Sequence, residues 1–198
     1  MKSSNNSPYK DLTAKINQVN QSGANKINLI KINQAIYYIK KYHKHQKRHS
    51  GEPYYYHPIE VANIVLDYIV DLDTIIAALL HDVVEDTIVS IHHIELVFGK
   101  NVAQIVDAVT KNIMEYKLSK EEMIYKIHGI NDLDKNVLII KIADRLHNMR
   151  TIHYMRSIEK QKIIAKETIQ SYIPFAKYAG LHIIADELET LATKILNI

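Results

Sequence analysis

The chain of 198 residues has no cysteine and no tryptophan, and only five glycines and four prolines. Without cysteine there is no disulfide framework and no thiolate metal site, so any metal must be held by histidine and carboxylate. Eleven histidines make such a site feasible. No apolar run approaches the roughly 18 residues of a membrane span, so no membrane association is expected. The N-terminus, Met-Lys-Ser-Ser-Asn-Asn-Ser, lacks the apolar stretch of a signal peptide, and a cytoplasmic protein is the simplest reading. No segment shows the period-two alternation of a strand. What remains is ordinary for a globular domain: 47% hydrophobic and 24% charged residues. That length is enough to bury a sizeable core in one domain.

Charge is unevenly spread. Residues 1–50 carry ten Lys/Arg against one acid, Asp11, whereas residues 51–198 carry fifteen against twenty-one. A basic arm on an acidic body fits nucleic-acid binding, a plain solvated helix, or steering of a small polyanion. The basic residues are too sparse, and the interleaved aromatics too few, for a nucleic-acid surface. Steering suits Arg48; Lys40, Lys41, Lys44 and Lys47 read as a solvated face.

Residues 1–25 are rich in Ser, Asn and Gln and read as a polar, frayed or partly helical tail. Residues 26–198 read as one all-α domain, a helical bundle of irregular topology. Ile32, Ala35, Ile36 and Ile39 recur at helical spacing in a segment expected to reach about Lys47. Ser50-Gly51-Glu52-Pro53 is a turn, and His57-Pro58 opens the next helix. Asp73 is the expected cap of a helix containing His81 and Asp82. Ser90 starts another helix, ended by Gly99, and Asn101 to Val109 continues after that break. Ser119-Lys-Glu-Glu122 has a capping-box pattern. The helix carrying Asp144 is expected over about Leu133 to Ile152. Ser157 starts the next, and Pro174 breaks it. Leu181 to Leu196 forms a last amphipathic helix, whose apolar face serves either the core or a homo-oligomeric interface.

Two stretches put polar groups where the surroundings are apolar: Ala77-Ala-Leu-Leu-His81-Asp82-Val-Val-Glu85-Asp86-Thr87 and Leu138-Ile-Ile-Lys-Ile-Ala-Asp144-Arg-Leu-His-Asn-Met149. Ionised carboxylates are costly to desolvate without a partner. Singly, each has a bland explanation: Asp144 pairs with Arg145 or Arg150, and His57 simply begins a helix. Together, His57, His81, Asp82 and Asp144 make a two-His, two-Asp set suited to Mn²⁺, Fe²⁺ or Zn²⁺. A metal held there would acidify a water and polarise a phosphoryl oxygen. Glu85 and Asp86 follow within one turn and are expected to orient that water or take its proton. His92 and His93 read as surface residues. His43, His45, His49 and His128 read as solvent-facing or substrate-edge groups, and His147 and His153 as structural. Tyr54-Tyr55-Tyr56 either walls a pocket or packs the turn.

The order His57, His81-Asp82, Asp144 resembles the HD-domain metal phosphohydrolases. Longer stretches narrow the likeness to the hydrolase domain of the RelA/SpoT family. They are Arg48-His-Ser-Gly-Glu-Pro-Tyr54 with His57-Pro58, the stretch from Ala77 to Thr87, Val106-Asp-Ala-Val-Thr-Lys111, and Ile140 to Thr151. Lys166-Glu-Thr168 with Tyr172, Pro174 and Glu187-Leu-Glu189 is similar too. The resemblance implies a Mn²⁺-dependent enzyme with one ion. Its substrate would be guanosine 5′-di- or triphosphate 3′-diphosphate, releasing the 3′-pyrophosphate to leave GDP or GTP. It implies His57, His81, Asp82 and Asp144 as metal ligands and Glu85 and Asp86 as the catalytic pair. It also implies Arg48 on the guanine base, Ser50, Asn148 and Thr151 at the nucleotide, and Lys111 and Lys162 at phosphate. His45 and Ala108 stand where the family usually has glycine, and His49 where it has lysine. His49 is mostly neutral at pH 7, which opens the alternative of another nucleotide, including a reduced dinucleotide phosphate. A non-catalytic nucleotide-binding module is the third reading. With no synthetase domain after Ile198, the expectation is a small stand-alone hydrolase or a remnant of a longer ancestor.

Overall fold

A computed structural model describes residues 7–23, 26–110 and 132–197. Its helices are α1 (Pro8–Ser22), α2 (Leu29–Tyr42), α3 (Tyr56–Leu66), α4 (Leu72–Leu80), α5 (Val83–Asp86), α6 (Ile91–Phe98), α7 (Lys100–Thr110), α8 (Asp132–Thr151), α9 (Ile158–Glu167), α10 (Ile173–Tyr178) and α11 (His182–Leu196). The protein is all-α: among the described residues the only β pairing is an isolated bridge between Lys47 and Pro53. The chain divides into two compact units, Met1–Lys111 and Asn112–Ile198.

In the first unit, α4 is the central helix. Its sequence Leu-Asp-Thr-Ile-Ile-Ala-Ala-Leu-Leu is apolar nearly all round, and every residue from Thr74 to Leu80 is buried. A helix without a polar face must be surrounded, and α2, α3 and α7 pack against it. Ile32 and Ile39 of α2, Ile59 of α3 and Val102 of α7 join this core. The cap of α4 is Asp71, two residues earlier than expected. Its Oδ2 accepts from the Thr74 backbone N–H at 2.8 Å and from the Thr74 hydroxyl at 2.6 Å. Thr74, buried inside the first turn, needs both contacts with the same carboxylate, which fixes the start of the helix there. Asp73 lies within that turn and accepts instead from Asn101 Nδ2.

Of the two forms expected for the polar N-terminal segment, frayed or partly helical, residues Pro8–Ser22 take the helical one. α1 packs on α3 and buries Leu12 and Ile16 completely. Lys15 reinforces the contact by reaching Asp67 at 2.7 Å and the Asn63 carbonyl at 3.1 Å. Two apolar residues one turn apart leave too weak a periodicity to be seen against the polar background.

In the second unit, α8 packs on α11, and α11 also receives α9 and α10. Ile140, Ile142, Ala143 and Leu146 of α8 are buried, with Leu188 and Ala192 of α11. Arg150 donates through Nε and Nη2 to both carboxylate oxygens of Glu187, at 2.6 and 2.7 Å. Lys177 pairs with Glu189 at 2.9 Å. Pro174 does not end a helix. It falls in the first turn of α10, where a missing N–H costs nothing. The irregularity comes just before it, as a π-helical turn over Thr168–Tyr172.

Candidate metal centre

α2 stops at Tyr42, five residues short of the sequence expectation, because His43 takes over. Its backbone N–H closes on the Ile39 carbonyl, and its ring turns into the protein, 1% exposed. The solvent-facing reading of His43 is therefore corrected. The chain then forms a tight loop. Arg48 N–H donates to the Glu52 carbonyl, Gly51 N–H to Arg48, and Tyr54 N–H to Gln46. Gly51 adopts φ +87°, a left-handed conformation that glycine reaches without strain. This loop delivers Tyr54 and, one turn later, His57 at the buried N-terminal turn of α3.

His81 and Asp82 occupy a junction. α4 ends at Leu80 and α5 starts at Val83, so the single helix expected across this stretch is two. The His81 side chain helps end α4: its Nδ1 lies 2.8 Å from the Ala78 carbonyl, satisfying one of the acceptors left over at a helix C-terminus. A carbonyl can only accept, so Nδ1 carries the proton and Nε2 the lone pair.

That lone pair faces a carboxylate. His81 Nε2 is 3.2 Å from Asp82 Oδ1, and His57 Nε2 is 3.4 Å from Asp82 Oδ2. Ligand atoms of His57, His81 and Asp82 all lie within 4.8 Å of one another. Both imidazoles are buried, whereas the carboxylate is partly exposed. Ligands about 2.0–2.2 Å from one ion stand roughly 3.0–3.5 Å apart along the edges of an octahedron or tetrahedron, and the two measured separations fall in that range. With His81 in that tautomer, its Nε2 and the facing Asp82 oxygen are both acceptors, and a cation between them resolves their opposition. The C-terminal end of α4, with its exposed partial negative charge, points the same way. The donor set fits a divalent cation.

Tyr54 connects these groups. Its hydroxyl donates to Asp82 Oδ2 at 2.7 Å. Its ring stacks on His43 with centroids 4.9 Å apart and meets the His57 ring edge-on at 5.8 Å. The Arg48 guanidinium lies 5.8 Å from the same ring centroid. Burial, and then the Asp82 carboxylate, push the Tyr54 phenol far above its ordinary range, so it remains a donor throughout the physiological range. Sequence reasoning left Tyr54 between pocket wall and turn packing; its place three residues before His57 was the available signal.

The other expected residues sit as follows. Glu85 and Asp86 are exposed on α5, the single turn that follows Asp82. Ser50 Oγ is buried and has no hydrogen-bond partner among the described residues. Asp144 is half-buried on α8, where Asn148 Nδ2 donates to its Oδ1 at 2.7 Å. Thr151 donates to the His147 carbonyl one turn back. Arg145 and Arg150 make their ion pairs with Glu167 and Glu187. The Arg145 guanidinium also lies over the Tyr172 ring, 3.9 Å from its centroid. Lys162 is half-buried on α9. Lys111, Ser119 to Glu122 and His128 lie outside the described residues. His92 and His93 are exposed, as read; His147 is buried and His153 is exposed.

An all-helical chain that gathers ligand atoms of two imidazoles and a carboxylate within 4.8 Å of one another falls in the class of helical proteins whose donor set could hold a metal ion. Within that class, residues 35–182 match the HD domain model, and the chain belongs to the HD-domain family. It is similar to the "GTP pyrophosphokinase rsh" of Brucella melitensis, at 39% identity over 175 residues, which are 86% of this chain and 23% of that protein. It is similar to the "Bifunctional (p)ppGpp synthase/hydrolase SpoT" of Escherichia coli, at 38% over 185 residues, 91% of this chain and 26% of that one. The chain thus spans about a quarter of the length of these curated relatives. Among solved structures it resembles one described under "A metazoan ortholog of SpoT hydrolyzes ppGpp and plays a role in starvation responses". The TM-score there is 0.57 at 28% identity, covering 84% of this chain and 94% of that chain.

Proposed function

We propose that residues 26–198 form a hydrolase domain that removes the 3′-pyrophosphate of guanosine 3′,5′-bis(diphosphate) and its 5′-triphosphate counterpart, using Mn²⁺. The observation that carries this reading is the grouping of His57, His81 and Asp82 within 4.8 Å. It is supported by the E. coli relative, named a (p)ppGpp synthase/hydrolase, and by the solved metazoan SpoT ortholog, which hydrolyses ppGpp.

In this reading His57, His81 and Asp82 hold the ion through Nε2, Nε2 and the carboxylate, and Asp144 is assigned as a further ligand on its motif position alone. A divalent ion held by these residues would supply a Lewis acid for a phosphoryl oxygen and lower the pKa of a neighbouring water. Glu85 and Asp86, exposed one turn beyond Asp82, accept and return the proton. Water is consumed, the bond between the 3′-oxygen and phosphorus breaks, and the freed 3′-oxygen takes a proton, leaving GDP or GTP and pyrophosphate. Arg48, already resting against an aromatic ring, offers its planar guanidinium to the guanine base. The buried Ser50 hydroxyl, with no hydrogen-bond partner among the described residues, is suited to accept or donate toward the nucleotide. Asn148, Thr151 and Lys162, with Lys111, complete the contacts that the family motif assigns.

The test is incubation of the purified protein with Mn²⁺ and guanosine 3′,5′-bis(diphosphate), followed by chromatography for GDP and pyrophosphate. Stoichiometric release supports the proposal; a folded, Mn²⁺-loaded protein that releases nothing overturns it. The exposed His49, in place of the family's usual lysine, favours including reduced dinucleotide phosphates and other nucleotides in the same panel. Turnover confined to one of those would move the substrate while keeping the chemistry, and binding without turnover would leave a nucleotide-binding module.

A further inference from the structure

Beneath the ion site lies a chain of contacts with one internally consistent set of protons. Gln46 Nε2 donates to the Asp86 carbonyl at 2.8 Å. Its amide therefore turns Oε1 toward His43, whose Nδ1 is 2.6 Å away. An amide oxygen only accepts, so His43 carries its proton on Nδ1. Nε2 is left as an acceptor, buried and with no hydrogen-bond partner among the described residues. A hydrocarbon ring in this position would avoid burying an unmatched acceptor. The imidazole gives something in return: a ring locked in orientation by Gln46, lying face to face with Tyr54 at 27° between planes. Gln46 also braces the far end of the Asp82–Asp86 turn, whose own backbone closes through Asp86 N–H to the Asp82 carbonyl. Both contacts of Gln46 thus lead to Asp82, one through the backbone and one through His43 and Tyr54.

We propose that His43 is a positioning residue for the divalent-cation site and that it acts through Tyr54. The Gln46-locked imidazole holds the Tyr54 ring so that its hydroxyl donates to Asp82 Oδ2 and fixes the rotation of that carboxylate between the His57 and His81 rings. This inference rests on the reading of His57, His81 and Asp82 as cation ligands. Groups that orient metal ligands typically carry about 10–100-fold in affinity, which sets the expected effect.

The experiment measures Mn²⁺ binding to the full chain by calorimetry, with the melting temperature of the metal-free protein as a check on folding. Tyr54→Phe keeps the ring and removes only the hydroxyl; it is expected to weaken Mn²⁺ binding about 10–100-fold with little change in metal-free melting. His43→Ala is expected to weaken binding similarly in the wild-type background and to add little in the Tyr54→Phe background, because a residue acting through a partner is non-additive with it. His43→Phe, which keeps a flat ring against Tyr54 but cannot bond to Gln46, is expected to recover only part of the affinity; full recovery would show that the Gln46 lock contributes nothing. A Tyr54→Phe protein that binds Mn²⁺ like wild type overturns the proposal, whether or not His43→Ala folds. So does a His43→Ala loss that is equally large in both backgrounds, or a loss seen in melting temperature but not in affinity. A wild-type protein that fails to bind Mn²⁺ overturns the cation-site reading itself and this inference with it.

Discussion

His81 Nδ1 lies 2.8 Å from the carbonyl of Ala78, three residues back and still inside α4. One contact ends the helix and selects the tautomer that turns a lone pair toward Asp82. Ligand binding to the folded state alone stabilises it by mass action, by about 2.7 kcal/mol at a hundredfold excess over Kd. Urea unfolding with Mn²⁺ and with a chelator is expected to differ by that amount for wild type. For His81→Ala the two curves should coincide. A variant still stabilised like wild type would mean that the cation binds elsewhere.

In the proposed reaction Glu85 handles the proton and is not a ligand of the ion. Exposed on α5 and three residues after Asp82, it can lose its charge without disturbing the core. Glu85→Gln is expected to bind Mn²⁺ like wild type and to lose roughly 10²–10⁴ in turnover, the usual range for a positioned acid or base. Single-turnover assays at saturating metal read this directly; wild-type rates would remove Glu85 from the reaction.

The N-terminal helix offers a contrast between burial and charge. Leu12 is fully buried, and Leu12→Ala is expected to cost about 2–5 kcal/mol. Lys15 and Asp67 are paired but substantially exposed, with side chains 38% and 54% accessible. Lys15→Ala should cost no more than about 1 kcal/mol, since water and salt screen such pairs. Denaturant midpoints of the two variants check the order, and a reversal would show that α1 is held by charge.

Tyr38 provides a pH test away from the cation site. It is buried on α2, with Phe98 edge-on at 5.2 Å. Burial first, and Tyr42 second, hold its phenol well above the ordinary value of 10.0. Below that value both folded and unfolded chains keep the proton, and stability is unaffected. Above it the unfolded chain releases the proton while folded Tyr38 retains it, so stability falls as pH rises. The slope from this one group reaches about 1.4 kcal/mol per pH unit. Tyr38→Phe should unfold less steeply with alkali than wild type in urea titrations between about pH 8 and pH 11; identical slopes would rule out the retained proton.

What the sequence carried was the polar residue set and the helices whose apolar residues repeat strongly. His57, His81 and Asp82 stood out as polar residues in apolar surroundings, and the structure brings them together. Boundaries set by side chains escaped it. Asp71 and Asp73 are equally good caps on paper; the buried Thr74, bonded twice to Asp71, decides between them. His43 carries no mark of burial in the sequence, because its partner Gln46 and its platform Tyr54 are assembled by a turn. The π-helical turn at Thr168–Tyr172 has no compositional signal either. Its residues Glu167 and Tyr172, which flank and end it, meet Arg145 from α8, a contact between elements that no local periodicity encodes.

The bridge between Lys47 and Pro53 pins both ends of the loop that carries Arg48, His49 and Ser50, and Gly51 supplies its one left-handed bend. Backbone hydrogen bonds from Arg48 N–H to the Glu52 carbonyl and from Gly51 N–H to the Arg48 carbonyl close the loop between those ends. Under the proposed function, exchanges at 48, 49 and 50 are expected to retune nucleotide choice while the clasp that carries them stays closed.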